Sequence, residues 1–293
     1  MSRRGTIRHL QGERAFVASP LLVYSRFVSV PQAPAPAPLF LQGNQPEGVP
    51  PLALTGERTL PDVPEENYWF RRHLAVYEWI AARIGSLCAI DMACGEGYGS
   101  DVLAQSAASV VGVDANPEAH EHARLRYCRE NLRFARDLVE TFPEPADAVV
   151  FLQTIEHLQD PGAVLAHFRS LVGETGNGVV FVSTPNVLTL APKGAERSDN
   201  PWHVHEYRCA EFEELCRGTF AKVEMYGLFH ARKLRLHALA LKLGWDAIHP
   251  RLRLTKPFYR WFTPAIAASD FALRRAGEAD LDKALDFIAV CRP

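Results

Sequence analysis

Short apolar runs alternate with amphipathic stretches through the middle of the chain. Each run is four to six residues long and is typical of a strand buried on both faces, while the stretches between them carry apolar residues at helical spacing. The predicted strands are residues 87–92, 109–113, 132–135, 148–152, 178–183, 222–226 and 285–290. This alternation predicts an α/β fold with a doubly wound, Rossmann-like sheet of seven strands.

A helix is predicted before the first of these strands. Apolar residues recur every three or four positions between Pro64 and Ile84, which favours a helix that packs one face on the sheet. The same segment contains Tyr68 and Arg72, which could instead cap a cofactor pocket. Both interpretations stay open from the sequence alone.

The first 65 residues follow a different pattern. Residues 1–30 contain five arginines and one acid, and residues 31–38 alternate proline with alanine. Such a composition favours an extended chain, so we expect a flexible leader over residues 1–65 and the main domain over residues 66–293. An arginine-rich, acid-poor start also occurs in organelle transit peptides, and an over-long start of the chain would give the same pattern.

The amino-acid composition makes some classes of function less probable for this chain. Hydrophobic residues make up 47% and charged residues 23% of the 293, and the formal net charge is −2, so no overall basic signature points to nucleic acid. The longest apolar stretches fall short of the roughly 20 residues that span a bilayer. The six cysteines are scattered without a C-x-x-C pair, which indicates reduced thiols in a cytoplasmic protein.

The candidate chemistry is centred on a glycine-rich turn at residues 91–100, directly after the first predicted strand. Glycine lets the backbone turn sharply and lets a ligand approach it closely, and a helix should follow the turn. The residues expected to contact a cofactor here are Asp91, Ala93, Gly95 and Gly97. A dinucleotide would require glycine or alanine where Ser100 stands, so that match is imperfect.

Acidic residues after the next strands favour S-adenosyl-L-methionine instead. Asp114, with Ala115 beside it, follows the second strand and suits a ribose diol. Asp137 and Leu138 follow the third strand, at the position expected for adenine. Gln153 ends the fourth strand and would line the sulfonium side. Because the carboxyl ends of parallel strands share one sheet edge, we expect these residues to lie together.

In these segments the chain resembles the class I S-adenosylmethionine-dependent methyltransferases. The resemblance covers about residues 66–227 and the final strand, and Ala93 departs from the glycine usual in the family. It implies a seven-stranded sheet whose last strand is antiparallel, a role that residues 285–290 suit. The matching segments are residues 91–97, 113–114, 136–138, 147–161 and 183–186.

A narrower resemblance links the chain to bacterial methyltransferases of methylglucose lipopolysaccharide synthesis. It rests on residues 54–59, 66–73, 95–99, 227–230 and 285–293, and it implies O-methylation of a sugar hydroxyl. The Ile-Glu-His sequence at 155–157 is similar to that of quinone-biosynthesis O-methyltransferases, the alternative within the class. The acceptor is accordingly expected to be an oligosaccharide or another small molecule, and the oligomeric state stays open.

A hydroxyl acceptor needs a base near the ends of the fourth and fifth strands. His157 is the first candidate and His205, with His203 nearby, is the second; each is weighed against a structural histidine. A divalent metal could use the histidines of this loop with Glu206, or Glu156 with His157, but the patterns are weak and no metal is predicted. Residues 228–283 are expected to form a mostly helical insertion that covers the acceptor.

Two hypotheses from other classes remain at this point. One is a nicotinamide-dependent oxidoreductase, which the glycine-rich turn alone would permit. The other is a non-catalytic subunit that binds the cofactor without transferring a methyl group. Binding of S-adenosylhomocysteine against binding of NAD separates the first of these from a methyltransferase.

Overall fold

The computed structural model describes residues 39–40, 42–54, 58–173, 177–192 and 194–293, and within them an eight-stranded sheet forms the centre. Its strands bury apolar side chains on both faces, as expected for a sheet covered on both sides. The strands are β3 (Cys88–Met92), β4 (Ser109–Val113), β5 (Leu132–Ala135), β6 (Ala148–Leu152), β7 (Val179–Pro185), β8 (Lys222–His230), β9 (Phe271–Arg275) and β10 (Asp286–Arg292). A separate antiparallel pair precedes them, β1 (Leu39–Phe40) and β2 (Leu52–Ala53).

The strand order is β5-β4-β3-β6-β7-β10-β8-β9. Strands β3 to β7 pair in parallel, and β10 lies antiparallel between β7 and β8. The predicted doubly wound sheet with an antiparallel last strand is confirmed. Because the chain winds away from β3 in both directions, the carboxyl ends of β3, β4 and β6 meet at a switch point, where such sheets bind ligands.

Helices cover both faces of the sheet. Helices α1 and α2 pack in one apolar cluster, and α4 and α6 pack in a second cluster on the opposite face. No helix in the described part of the chain combines the length and apolarity needed to cross a bilayer. The helices are α1 (Asn67–Ala81), α2 (Tyr98–Leu103), α3 (Pro117–Arg126), α4 (Pro161–Leu171), α5 (Val187–Leu190), α6 (Cys209–Arg217), α7 (Arg232–Lys242), α8 (Trp245–Arg251) and α9 (Thr255–Phe262).

The region 228–283 contains helices, as predicted, together with strand residues that the sequence analysis did not predict. Helices α7 to α9 occupy its first part, but β8 continues to His230 and β9 adds an eighth strand antiparallel to β8. Strand β9 is five residues long and ends in two arginines, so its local pattern is weak. Strand β9 forms because it pairs with β8, although its own sequence pattern does not predict a strand.

The predicted leader is also shorter than residue 65. Residues 1–38 lie outside the described part of the chain, but the segment from residue 42 onward packs on the domain. Leu52, Leu60 and Val63 form a small buried cluster there. The ring of His122 in α3 lies with Nδ1 2.6 Å from the carbonyl oxygen of Pro50. Proline-rich sequence therefore does not prevent this segment from docking, because a few apolar side chains and polar contacts hold it.

Candidate active site

The turn after β3 passes through Ala93, Gly95 and Gly97, each with a positive φ (57°, 57° and 97°). A Cβ atom at Gly97 would lie 2.8 Å from the Cβ of Ala123 in α3, so packing requires glycine there. A Cβ atom at Gly95 would meet no described heavy atom within 4 Å. The turn is closed on its helix side and open at Gly95, which leaves room for a ligand against the backbone.

Asp91 lies fully buried beneath this turn. Its Oδ2 accepts a hydrogen bond from Ser100 Oγ at 2.7 Å, and its Oδ1 accepts one from Tyr77 Oη at 3.1 Å. Burial raises the pKa of Asp91 to about 7, although both hydrogen bonds act in the opposite direction. Asp91 therefore joins β3 to α1 and α2, and its direct contact with a cofactor stays a prediction.

Asp114 follows β4 and reaches across to the turn. Its Oδ2 accepts a hydrogen bond from the backbone N–H of Gly95 at 2.8 Å, and its Oδ1 accepts one from that of Asn116 at 2.9 Å. The residue is half-buried, and Ala115 beside it is exposed. Each oxygen keeps a further lone pair, so this carboxylate can accept hydrogen bonds from the two hydroxyls of a ribose.

The remaining predicted cofactor residues follow the neighbouring strands. After β5, Asp137 Oδ1 accepts a hydrogen bond from the N–H of Leu138 at 2.7 Å, and the side chain of Leu138 is 54% exposed. After β6, Gln153 has a φ of 52° and donates from Nε2 to Ser183 Oγ at 3.0 Å. The sheet thus brings Asp114, Asp137 and Gln153 to one edge.

A buried carboxylate within the turn, Glu96, was not identified by sequence reasoning. It is 1% exposed, and its oxygens accept hydrogen bonds from Tyr127 Oη at 2.8 Å and Gln42 Nε2 at 2.8 Å. The Nε2 atom of His122 lies 3.2 Å from the same side chain. A glutamate between two glycines is typical of an exposed turn, so no local signal reveals this network. Glu96 connects the turn to α3 and to the segment that precedes α1.

These residues fit S-adenosylmethionine better than a dinucleotide. Asp114 places a carboxylate against the backbone N–H of Gly95 at the open side of the turn, and a pyrophosphate favours a helix N-terminus without such an acid. A sulfonium and an ammonium are cations that acids attract. The exposed side chain of Leu138 offers an apolar surface for adenine. When bound, the cofactor supplies an electrophilic methyl group.

The second half of the site follows β6 and β7. Glu156, in the turn Ile155–His157, is buried, and its Oε2 accepts a hydrogen bond from Thr184 Oγ at 3.1 Å. Burial raises the pKa of Glu156 to about 8, against the opposing effect of its hydrogen bonds. Its carbonyl oxygen accepts backbone hydrogen bonds from Val204 and His205, which fixes the loop before α6.

His157 and His203 face each other, with ring centroids 5.1 Å apart. The Nδ1 atom of His157 lies 2.9 Å from the carbonyl oxygen of Trp202, so it donates there and Nε2 carries the lone pair of the neutral ring. In His203, Nδ1 lies 2.7 Å from Glu206 Oε1, and Nε2 lies 2.9 Å from Asn200 Nδ2. An oxygen acceptor therefore orients each ring through its Nδ1 atom.

Glu206 holds His203, while His205 points elsewhere. Burial alone would raise the pKa of Glu206, but hydrogen bonds from His203 and Ser198 outweigh it and lower the pKa to about 2. His205 is exposed and stacks on Tyr207 with ring centroids 4.5 Å apart. The structure thus brings His203, rather than His205, to His157, and a catalytic role for either candidate base stays a prediction.

Three residues here could hold a divalent metal. Glu156, His157 and His203 each offer one ligand atom, and these atoms lie within 4.8 Å of one another. This set differs from the sequence-derived group, because His205 turns away from it. Asn200 donates to the Nε2 atom of His203, and burial favours the protonated form of Glu156 at neutral pH through its raised pKa. Activity without a metal therefore stays our prediction.

Tyr68 and Arg72 of α1 contact β8 and β10. Tyr68 Oη lies 2.7 Å from Nε2 of His230, whose pKa burial lowers to about 4. Arg72 donates from Nε and Nη2 to both carboxylate oxygens of Asp286, at 2.7 and 2.5 Å. The Nη1 atom of Arg72 is buried and has no hydrogen-bond partner among the described residues. Cofactor contact by either residue stays a prediction.

Comparison with known proteins agrees with this geometry. A family model described as a methyltransferase domain matches residues 66–239. A probable S-adenosylmethionine-dependent methyltransferase of Mycolicibacterium smegmatis is 37% identical over 248 residues, which covers 82% of this chain and 94% of that protein. A protein of the same description from Mycobacterium tuberculosis H37Rv is 36% identical over 248 residues, covering 82% of this chain and 89% of its own length.

Two further similarities are more limited. The ubiquinone biosynthesis O-methyltransferase of Xylella fastidiosa strain 9a5c is 31% identical over 131 residues, covering 41% of this chain and 52% of that enzyme. The crystal structure of a SAM-dependent methyltransferase, possible histamine N-methyltransferase, from Thermotoga maritima superposes with a TM-score of 0.52. It is 14% identical and covers 78% of this chain and 94% of that chain, so this similarity shows the fold alone.

The glycine-rich turn therefore does not belong to a nicotinamide-dependent oxidoreductase. Asp114 after β4 suits a cationic cofactor, and the mycobacterial relatives are described as S-adenosylmethionine-dependent methyltransferases. The chain belongs to the methyltransferase domain family and is an S-adenosylmethionine-dependent methyltransferase.

Proposed function

We propose that this enzyme methylates a sugar hydroxyl during synthesis of a polysaccharide or glycolipid. The observation that supports it most is the His157–His203 pair beside Trp202. A sugar hydroxyl is a weak nucleophile that must lose its proton as it attacks, and a neutral histidine near physiological pH is a suitable base.

His157 is the base in this proposal. Its Nδ1 atom donates to the carbonyl of Trp202, so Nε2 receives the hydroxyl proton while the carbonyl stabilises the resulting imidazolium. His157 stands four residues after Gln153 in the same segment following β6. A hydroxyl at His157 would thus approach the sheet edge at which the glycine-rich turn holds the methyl donor, and alignment would supply much of the rate enhancement.

The side chains around His157 suit a carbohydrate. Trp202 is 54% exposed, and an exposed indole provides a face on which a sugar ring can stack. Asn200 and the Glu206-bound His203 place amide and imidazole groups beside it, which can exchange hydrogen bonds with hydroxyls. An apolar quinone precursor would gain less from this polar lining.

A phenolic hydroxyl of a quinone precursor is the second candidate. The similarity to the Xylella fastidiosa ubiquinone biosynthesis O-methyltransferase favours it, although that match spans 41% of the chain. A phenol ionises near pH 10, far more readily than a sugar hydroxyl, so it depends less on a base. The two candidates therefore differ in how strongly they need His157.

The test is transfer of a labelled methyl group from S-adenosylmethionine to two acceptor panels, one of oligosaccharides and glycolipids and one of catechols and hydroxyquinones. We expect label in the carbohydrate panel, with chromatographic recovery of a methylated sugar after hydrolysis. The His157→Ala variant serves as the matched control, since it should bind S-adenosylhomocysteine normally and transfer little label. Transfer to phenols alone would replace the sugar proposal with the quinone one.

A further inference from the structure

Helices α7, α8 and α9 carry large apolar side chains on their outward surface. On α7 and at the residue directly after it, exposed positions recur every three or four residues and include Leu236, Leu239 and Leu243, which are 69%, 53% and 76% exposed. At the end of α9, Trp261 is 71% exposed. We call this surface the outward face; its apolar members are Leu236, Leu239, Leu243, Ile248, Leu252, Leu254 and Trp261.

Packing within the three helices does not account for these side chains, because aromatic residues fill the inward side. The ring of His237 lies 4.8 Å from that of Phe262 and 5.8 Å from that of Phe258. Its Nε2 atom lies 3.1 Å from Tyr259 Oη. The aliphatic residues of α7 thus point away from an interior that is already occupied. Exposed apolar clusters of this kind mark interaction surfaces.

The same helices are strongly basic. Residues 232–262 contain eight lysines and arginines and a single acid, Asp246, which gives +7 in a chain whose net charge is −2. Among the described residues, Lys233 is the one of these eight that forms an ion pair, with Asp270. The other seven are exposed and form no ion pair among the described residues, so the positive charge of these helices is not neutralised by such pairs; they are Arg232, Arg235, Lys242, Arg251, Arg253, Lys256 and Arg260.

We propose that the outward face docks on an anionic membrane surface. Leucine and tryptophan side chains would enter the boundary between headgroups and acyl chains, and the basic side chains would contact lipid phosphates. A second copy of the chain fits this face poorly, because a symmetric pair would bring two basic surfaces together. Nucleic acid would meet the arginines but leave the aliphatic side chains without a role.

This surface adjoins the catalytic edge of the sheet. Strand β8 runs parallel to β3, so its end at His230 lies at the edge that carries the glycine-rich turn, and α7 begins two residues later at Arg232. Asn67 at the start of α1 donates to the carbonyl oxygen of Thr263, just after α9, at 2.8 Å. Docking would place the active site beside the lipid headgroups, within reach of an acceptor carried on a lipid.

Vesicle co-sedimentation of the 293-residue chain tests this proposal. We expect binding to vesicles of phosphatidylcholine mixed with phosphatidylglycerol, little binding to phosphatidylcholine alone, and weaker binding at high salt. The combined variant Leu236→Gln, Leu239→Gln, Leu243→Gln should weaken binding by about 10-fold or more. A charge variant, Lys242→Gln with Arg251→Gln and Arg253→Gln, should weaken it to a similar extent.

Matched controls lie on α3, outside the outward face. Leu125→Gln replaces a leucine that is 37% exposed, and Arg124→Gln removes an exposed arginine; neither should change vesicle binding. Circular dichroism and S-adenosylhomocysteine binding confirm that every variant is folded, independently of the methyl acceptor. Equal vesicle binding by the wild type and both face variants would overturn the proposal and assign binding to the arginine-rich start. Absence of wild-type binding, or a dimer that the leucine variant dissociates, would also overturn it.

Discussion

The two halves of the active site are built in different ways. On the donor side, Asp114 and Asp137 each follow a parallel strand and accept hydrogen bonds from backbone N–H groups, as Asp114 does from Gly95. On the acceptor side, the contacts join segments far apart in the chain, such as Glu156 with Thr184 and His157 with Trp202. The sheet itself positions the donor half, whereas loops and pairings between distant segments position the acceptor half.

The two halves also differ in charge. Asp114 is a carboxylate whose hydrogen bonds come from backbone N–H groups, which suits contact with hydroxyls of a cofactor. Around His157, the raised pKa of Glu156 favours a neutral carboxyl, and the low pKa of Glu206 keeps its charge on His203. The donor half thus offers hydrogen-bond acceptors suited to a cofactor, and the acceptor half contains His157, the base of the proposed function.

The largest effect is expected for a substitution on the donor side, at Asp114. Asp114→Ala removes both the predicted acceptor for the ribose hydroxyls and the bond to Gly95, so affinity for S-adenosylhomocysteine should fall about 10³-fold, from two hydrogen bonds of roughly 1.5–3 kcal/mol each. Isothermal titration calorimetry measures this affinity. Asp114→Asn is the matched control, since it keeps the side-chain shape and one acceptor oxygen and should lose less. Unchanged affinity in the alanine variant would remove Asp114 from the cofactor site.

The next largest effect is expected for a substitution on the acceptor side that lowers turnover without changing cofactor binding. His157→Ala removes the predicted base, so turnover should fall about 10²-fold or more while affinity for S-adenosylhomocysteine stays unchanged. Initial rates at saturating cofactor measure the loss. His205→Ala provides the comparison, because His205 stacks on Tyr207 away from His157. A larger loss for His205→Ala than for His157→Ala would exchange the two assignments.

The same division explains what the sequence predicts. Asp114 and Asp137 occur directly after predicted strands, so a continuous apolar run and a following acid suffice to locate them. The buried network of Glu96 could not be predicted, because its partners Gln42 and Tyr127 lie 54 and 31 residues away in the sequence. The ion pair of Arg72 with Asp286 spans 214 residues, and no local pattern contains it.

Two other regions could not be predicted from local sequence for the same reason. The short strand β9 depends on pairing with β8, and the segment around Leu52 depends on a docking surface that only the folded domain provides. Local propensity is a weak guide wherever tertiary contacts decide the outcome.

The pH dependence of stability tests the buried acceptor carboxyl. Burial raises the pKa of Glu156 from 4.5 to about 8, so the native state keeps a proton that the unfolded chain releases. Its stabilising contribution is complete below about pH 4.5 and is lost as the pH rises through 8, with a slope of at most about 1.4 kcal/mol per pH unit.

Glu156→Gln should remove this part of the slope while keeping an acceptor for Thr184. Asp91, with its pKa raised to about 7, contributes a slope of the same sign in both proteins, so the difference between them isolates Glu156. Urea denaturation between about pH 4.5 and 9 measures the free energy of unfolding across this window. Parallel pH profiles for variant and wild type would contradict the assignment.

A smaller change in stability is expected for a substitution at Ala93 in the glycine-rich turn. Ala93 has a φ of 57°, a conformation that costs a residue with a Cβ atom roughly 1–2 kcal/mol. Ala93→Gly removes this strain but adds freedom to the unfolded chain, so the free energy of unfolding should rise by no more than about 1 kcal/mol. Urea denaturation measures it, and cofactor affinity should not change. A clear loss of stability would mean that the methyl group packs productively on the core.

We expect no effect on turnover when divalent metal is removed or added, although Glu156, His157 and His203 could form a metal site. A divalent ion there would have to displace the hydrogen bond from Asn200 to His203 and ionise a carboxyl whose pKa burial has raised. Turnover should therefore be the same after EDTA treatment and after addition of Mg²⁺ or Mn²⁺. Asn200→Ala provides the matched comparison, because it exposes the Nε2 atom of His203 and should, if anything, create sensitivity to added metal. Loss of wild-type activity on chelation, restored by one of these ions, would instead make the cluster a functional metal site and assign the activation of the hydroxyl to the ion as well as to His157.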